Sequence, residues 1–203
     1  MTQEHDHAFT RKRGRPPEAE RFRRREDIVD AAVALFASEG FEAVTLDRIA
    51  TAAHVAKRTI YTHLGDRTEV FLAAVEHLRE RALHEAAPEE GLEGLATNIV
   101  LALHSDDAVA LHRLAIGEGP RFPELAVRFY EDGPIRYIAA LRDRLPEPDD
   151  RRAEELFGLL LGEKHRQRLL GLRPAPDATA AAAHARTAIL ALGLSESATR
   201  EEK

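Results

Sequence analysis

Apolar residues recur every three or four positions along most of the chain. Ile28, Ala32, Leu35 and Phe36 stand at i, i+4, i+7 and i+8, one stripe of a helix that begins near Phe22. Gly40 is placed to end it in the left-handed region. Thr45 is an N-cap for a short helix from Leu46 to Ala53, with Asp47 in the first turn, where the helix dipole favours a carboxylate. After a break at His54-Val55, a second short helix runs from about Ala56 to Leu64 and stops at Gly65. Asp66, with Glu69 three residues on, makes a capping-box-like start for a helix over 67–85. Beyond Pro88 the same period predicts helices at about 89–104, 107–118, 122–131, 134–145, 151–170 and 177–193, separated by Gly-, Pro- and Asp-containing breaks. No segment alternates as a strand does, and no fixed-period repeat suggests a solenoid. The fold class is all-α.

Composition narrows the chemistry. The 203 residues are 44% hydrophobic, enough for a core within one or two domains. Only 5% are aromatic and Trp is absent, so Leu and Ala must fill the interior, as suits helices. There is no Cys, which excludes disulfides, thiolate chemistry and Cys-based zinc sites. No run of 18 apolar residues occurs, and the polar N-terminus lacks the apolar stretch of a secretory signal. A cytoplasmic protein without membrane contact is expected. The formal charge of -6 argues at first against a nucleic-acid partner. Its distribution argues for one: Arg11, Lys12, Arg13, Arg15, Arg21, Arg23, Arg24 and Arg25 stand against only Glu18 and Glu20 in that stretch. A basic end on an otherwise acidic chain is arranged to meet a polyanion. As an alternative, the basic arm is a solubilising tail.

The informative segment is Thr45 to Arg67, TLDRIATAAHVAKRTIYTHLGDR. Two short helices with a tight turn have the size of a helix-turn-helix. Leu46, Ile49, Ala50, Ala53 and Val55 can face inward, with Ile60 and Leu64 on the same core. Lys57, Arg58, Thr59, Tyr61, Thr62 and His63 then face outward, nearly all donors or cations. Such a helix fits the major groove, where Arg and Lys suit guanine, Thr the thymine methyl, and Tyr or His the phosphates. Tyr61 can equally buttress the helix pair.

The stretch LFASEGFEAVTLDRIATAAHVAKRTIYTHLGDRTEVFLAAV closely resembles the TetR/AcrR family of bacterial transcriptional regulators, over about residues 22–82. The resemblance implies an all-α homodimer with an N-terminal three-helix helix-turn-helix domain and a C-terminal helical bundle for ligand binding and dimerisation. The implied division is a disordered basic arm over 1–21, a DNA-binding domain over 22–82 with its recognition motif at 45–64, and a ligand-binding and dimerisation domain over 83–203. It further implies double-stranded DNA as partner, released by a small-molecule effector. Lys57, Arg58, Thr59, Tyr61, Thr62 and His63 map to the recognition helix, Thr45 and Arg48 to the start of the helix before it, and Arg67 to a phosphate contact. The chain departs from the family pattern where His54 replaces the turn Gly, Ala56 the Ser N-cap, Leu64 a Phe and Arg67 a Lys. Arg13-Gly14-Arg15-Pro16 resembles an AT-hook core, which implies that Arg13 and Arg15 enter the minor groove of A·T-rich DNA.

RLAIGEGPRFPELAVRFYEDGP resembles the C-terminal domain of the AefR-like subgroup. By that resemblance the ligand pocket lies among the central helices, with His112, Arg113, Glu118, Arg121, Phe122, Phe129, Tyr130 and Phe157 as candidates. Phe122, Phe129 and Phe157 fit a core role as well, and Glu118 with Arg121 a helix-end ion pair. The last two helices would meet their symmetry mates through Leu156, Leu159, Leu160, Leu169, Ile189, Leu190, Leu192 and the Ala-rich run over 180–191. Ten His residues raise the question of a metal, but no His-x-x-x-His pair occurs and no Cys assists, so no metal or cofactor is expected. The competing classes are an enzyme or metal-binding bundle and an architectural DNA binder. Neither a glycine-rich phosphate loop, a Gly-x-Ser-x-Gly nor a triad supports catalysis.

Overall fold

A computed structural model describes residues 18–84 and 91–194, all helix and turn. Ten helices follow in order: α1 (Glu18–Glu39), α2 (Leu46–Ala52), α3 (Lys57–His63), α4 (Arg67–His84), α5 (Gly91–Leu103), α6 (Asp106–Glu118), α7 (Pro123–Asp132), α8 (Pro134–Arg142), α9 (Asp150–Leu169) and α10 (Ala178–Ala191). The all-α expectation holds. The arm positions Arg13 and Arg15 lie outside the described residues. α1 begins four residues before Phe22, inside the stretch expected to be an arm; an i,i+4 pair between Glu20 and Arg24 at 2.5 Å supports its first turns.

The local signals act as their chemistry requires. Gly40 sits at φ +80 with its N–H on the Phe36 carbonyl, ending α1. Thr45, Ser105, Asp149 and Asp177 each cap the helix that follows, accepting a backbone N–H through the side-chain oxygen. The capping box at Asp66 is only half formed. Asp66 accepts the Glu69 N–H at 3.0 Å, but the Glu69 carboxylate turns away to a two-pronged pair with Arg128 on α7 (2.5 and 3.1 Å).

Two hydrophobic clusters organise the packing. The first joins α1, α2, α3 and α4 but also takes Leu111, Leu114 and Ala115 from α6 and Leu125 from α7. The second joins the end of α4 with α5, α8, α9 and α10. The N-terminal helices therefore do not bury their apolar stripe alone: α6 packs against α1, and α7 against α4. Arg25–Glu76 ties α1 to α4, Arg79 donates to the Asp132 carbonyl, and Arg121 pairs with Glu42 across the same boundary.

α9 is not continuous. Gly162 takes φ 51, ψ -155, a conformation open essentially to glycine alone, and breaks the helix. Two carbonyls at the break accept imidazole N–H groups: Leu160 from His104 Nε2 at 2.9 Å and Leu159 from His184 Nε2 at 3.0 Å. Leu156, Leu160 and Ile189 are buried within the protomer, so they cannot form the outer apolar face expected of them; they fill the space between α9, α10 and α5. Leu159 and Leu190 are exposed, together with Ala180, Ala183, Thr187 and Ala191 along one side of α10. Among the described residues no helix is long and apolar enough to cross a membrane.

Candidate nucleic-acid interface

The α2–α3 pair is fixed from within. Leu46, Ile49 and Ala50 of α2 and Ile60 of α3 are buried, while Ala53, Val55 and Leu64 pack at the edge of the same cluster. With Ile60 fully buried, geometry forces its neighbours outward. Lys57, Arg58, Tyr61 and Thr62 are exposed, and Thr59 and His63 are half-buried on the flanks of that face. Tyr61 leaves 55% of its surface in solvent, so any buttressing role for its ring is partial.

The turn solves its departures from the family pattern at a cost. His54 adopts φ 54, the left-handed value that glycine would take with less strain. The turn closes through Val55 N–H to the Ala50 carbonyl at 2.9 Å. Ala56 holds the extended backbone of an N-cap but offers no side-chain acceptor, leaving an N-terminal N–H of α3 without one. At the other end Gly65, at φ 109, returns its N–H to the Ile60 carbonyl.

Electrostatics divide the candidate residues. Lys57 Nζ lies 2.8 Å from Asp47 on α2, and that hydrogen bond raises its pKa. Arg48 is paired with Glu39 and reaches the Ala43 carbonyl. Thr45 is engaged as the α2 cap, and Thr62 donates to the Arg58 carbonyl at 2.8 Å. Arg67 is turned inward. Its guanidinium donates to the Phe41, Glu42 and Val44 carbonyls and lies 4.2 Å from the centre of the Phe41 ring. In this arrangement Arg67 ties down the α1–α2 loop rather than projecting from the start of α4. Among the described residues no side-chain hydrogen bond or ion pair ties Arg58, which is exposed.

The second candidate set is partly dispersed. His112, Phe129 and Phe157 line a cavity of about 50 Å³ between α4, α6, α7, α8 and α9. The others lie elsewhere. Arg113 caps the end of α9 through the Arg168 and Leu169 carbonyls, both at 2.7 Å. Arg121 meets Glu42 instead of Glu118, Phe122 packs on Phe41, and Tyr130 is exposed. One Glu118 carboxylate oxygen is buried without a partner among the described residues. The cavity also recruits His165 and Tyr137, which no spacing in the chain marked. They arrive from α9 and α8, and only packing brings them to His112.

Around that cavity lies a cluster of imidazoles. His112 Nδ1 is 3.0 Å from His165 Nε2, and His104 stands edge-on to both His165 and His184. Burial lowers the pKa of all four, His104 to about 4 and His165 to about 3, so those two are neutral at pH 7. Arg168, itself buried, closes the cluster by donating to the His104 and Arg173 carbonyls and pairing with Asp106 at 2.5 Å. Among the described residues no group of side chains is placed to hold a metal ion.

Comparison with known proteins places this architecture. Residues 28–74 match the bacterial regulatory proteins of the tetR family, and residues 90–192 match the AefR-like transcriptional repressor C-terminal domain. The chain is 30% identical over 106 residues to the HTH-type transcriptional regulator SrpR of Pseudomonas putida, covering 50% of this chain and 49% of SrpR. It is 32% identical over 135 residues to the HTH-type transcriptional repressor SCO4008 of Streptomyces coelicolor, 64% of this chain and 66% of that protein. The matched stretches thus span about half to two thirds of these relatives. A TetR transcriptional regulator from Agrobacterium tumefaciens superposes with a TM-score of 0.66 at 27% identity, over 83% of this chain and 92% of that one. With a helix-turn-helix in register, a second family match over the C-terminal half and the same fold in a solved structure, the chain belongs to the tetR family of bacterial regulatory proteins.

Proposed function

We propose that this chain is a ligand-responsive repressor, acting by binding rather than catalysis in the cytoplasm, that holds a palindromic operator as a homodimer and leaves it when a small molecule occupies the C-terminal bundle. The observation that carries the reading is the face of α3: Ile60 locks the helix to the core while Lys57, Arg58, Tyr61 and Thr62 stand in solvent. Two such helices related by a two-fold axis enter successive major grooves. Lys57 can exchange Asp47 for a phosphate, Arg58 is available for a guanine edge, and Thr59, Thr62 and His63 fill the flanks. Thr45 and Arg48, at the start of α2, have the register for backbone contacts if Arg48 releases Glu39. For Arg67 the reading is indirect, since it shapes the loop that precedes α2. Arg13 and Arg15 would follow the minor groove alongside. The exposed stripe of α10 with Leu159 suits helix-on-helix packing with a second copy, small side chains allowing close approach.

Release needs the cavity to speak to the head. His112 lies tilted against Phe129 (5.4 Å between ring centres), Phe129 stacks on Phe71 (6.4 Å), and Phe71 meets both Phe36 and Phe41 edge-on (5.5 and 5.9 Å). A ligand that moves Phe129 therefore displaces a ring packed into the core that fixes α2 and α3. It shifts the equilibrium by the difference in its affinity for the two arrangements.

The test is selection of bound sequences from a random DNA library, followed by salt titration. A two-fold site is expected, with log affinity falling linearly against log salt. Arg58→Ala should weaken the site by about 1–3 kcal/mol and relax the base preference under it. Undiminished, equally selective binding by Arg58→Ala would refute the assignment of α3.

A further inference from the structure

The cation-rich face of α3 carries a carboxylate at its edge. Asp47, in the first turn of α2, sets its Oδ2 2.8 Å from Nζ of Lys57, the first residue of α3. The Asp47 side chain is 70% exposed and that of Lys57 44%. Among the described residues no other hydrogen bond or ion pair engages either head group, which leaves Oδ1 of Asp47 and the remaining ammonium hydrogens of Lys57 without a protein partner there. So exposed an ion pair adds little to stability, and a carboxylate brought close to phosphates is repelled by them. A base-edge donor under Asp47 offsets that repulsion. The leading residues of a recognition helix are the ones that meet base edges.

We infer that Asp47 and Lys57 stay paired on the operator and together read one C·G base pair in each half-site, Asp47 accepting from cytosine N4 and Lys57 donating to O6 and N7 of the guanine opposite. The inference rests on α3 being the DNA-reading helix and names a base pair that this helix selects. It replaces the exchange of Asp47 for a phosphate at Lys57. An ionised carboxylate only accepts hydrogen bonds and an ammonium only donates them. In the major groove only cytosine N4 and adenine N6 offer a donor. Within a C·G pair, N4 lies about 2.9 Å from guanine O6, the ordinary N–H···O separation. A donor and an acceptor thus stand side by side at nearly the spacing of Oδ2 and Nζ. An A·T pair offers a similar couple, adenine N6 beside thymine O4, but with the wrong flanks. Adenine N7 is a lone pair that repels the carboxylate, and thymine puts a methyl where Lys57 would find guanine N7. Reversing the pair sets guanine acceptors against Asp47. The ion pair is neutral as a unit, so it adds base preference without adding attraction to the phosphates.

The experiment uses the full-length protein. Sites are selected from a random DNA library for the parent, Asp47→Asn and Asp47→Ala, and affinities are followed by anisotropy across a salt series. The parent should select C·G at one position of each half-site and lose about tenfold in affinity when that pair becomes T·A in one half-site. In Asp47→Asn the amide matches adenine N6 and N7, so the preference at that position alone should move from cytosine to adenine. Asp47→Ala should erase the preference there and free Lys57 for a phosphate, steepening the log–log salt dependence by about one unit per head. An Asp47→Asn site identical to that of the parent would make Asp47 a surface partner only and overturn the inference. So would an unchanged salt dependence in Asp47→Ala, which would mean that Lys57 already sits on a phosphate, or a loss of selection at every position at once. With a two-fold site intact in the parent, any of these results removes this inference alone. A parent that selects no two-fold site removes the assignment of α3, and this inference with it.

Discussion

Replacing His104 by Gln should flatten the dependence of stability on acid. His104 is buried, donates through Nε2 to the Leu160 carbonyl at the α9 break, and has its pKa lowered from 6.5 to about 4. Desolvation is the main cause. The Leu160 hydrogen bond opposes it, while His184 on α10 and Arg168 and Lys164 on α9 add repulsion. Because the folded value lies below the unfolded one, the unfolded chain binds the proton first. Stability is therefore full above pH 6.5 and is lost as pH falls from about 6.5 toward 4. With those two values, the loss between pH 7 and pH 5 is about 2 kcal/mol from this one group. The amide of Gln can keep a donor near Leu160 but does not titrate. The assay is urea unfolding at pH 7 and pH 5 at fixed protein concentration, since the apparent stability of any chain that self-associates depends on it. His104→Gln should lower stability at pH 7 and lose less on acidification, the difference of differences being about 2 kcal/mol. Equal acid sensitivity in the two proteins would refute the argument that burial keeps this imidazole neutral. His165, pushed to about 3, should act in the same direction over a wider pH span.

Other consequences follow from single positions. Ala56→Ser restores a side-chain acceptor at a residue already in N-cap geometry and should stabilise the chain by about 1 kcal/mol in thermal unfolding, with no loss of operator affinity. Gly162→Ala meets no atom within 4 Å, so its whole cost is backbone strain of about 1–3 kcal/mol; a neutral result would mean that α9 is not broken there. A double-mutant cycle on Glu69 and Arg128 should give a coupling below about 1 kcal/mol for a half-exposed pair, weakening further in high salt.

Much of the molecule was legible because its signals are local. The helix starts at Thr45 and Asp66, the stop at Gly40 and the stripe through Ile28, Ala32 and Phe36 each act over one or two turns, and each appears where the chain marked it. The outward face of α3 was equally legible, since burying Ile60 and tucking in Leu64 leaves only one side for Lys57, Arg58 and Tyr61. The candidate pocket fared worse. Of the residues proposed for it, His112, Phe129 and Phe157 line the cavity, while Arg113, Arg121, Phe122 and Tyr130 are spent on helix ends, the head or solvent. Their period told which face of a helix they share, not which neighbour that face meets.

The amino-acid order alone determined where helices begin and end, which faces are apolar, and that a cation-rich rod follows a tight turn, because capping, periodicity and charge are read within a few residues. Tertiary structure alone decided that α6 and α7 complete the core beneath the head, that Arg67 turns inward to the α1–α2 loop, and that His104, His112, His165 and His184 converge around the break in α9. Those outcomes depend on which distant surfaces exclude water from one another, and that choice is made by the whole chain at once.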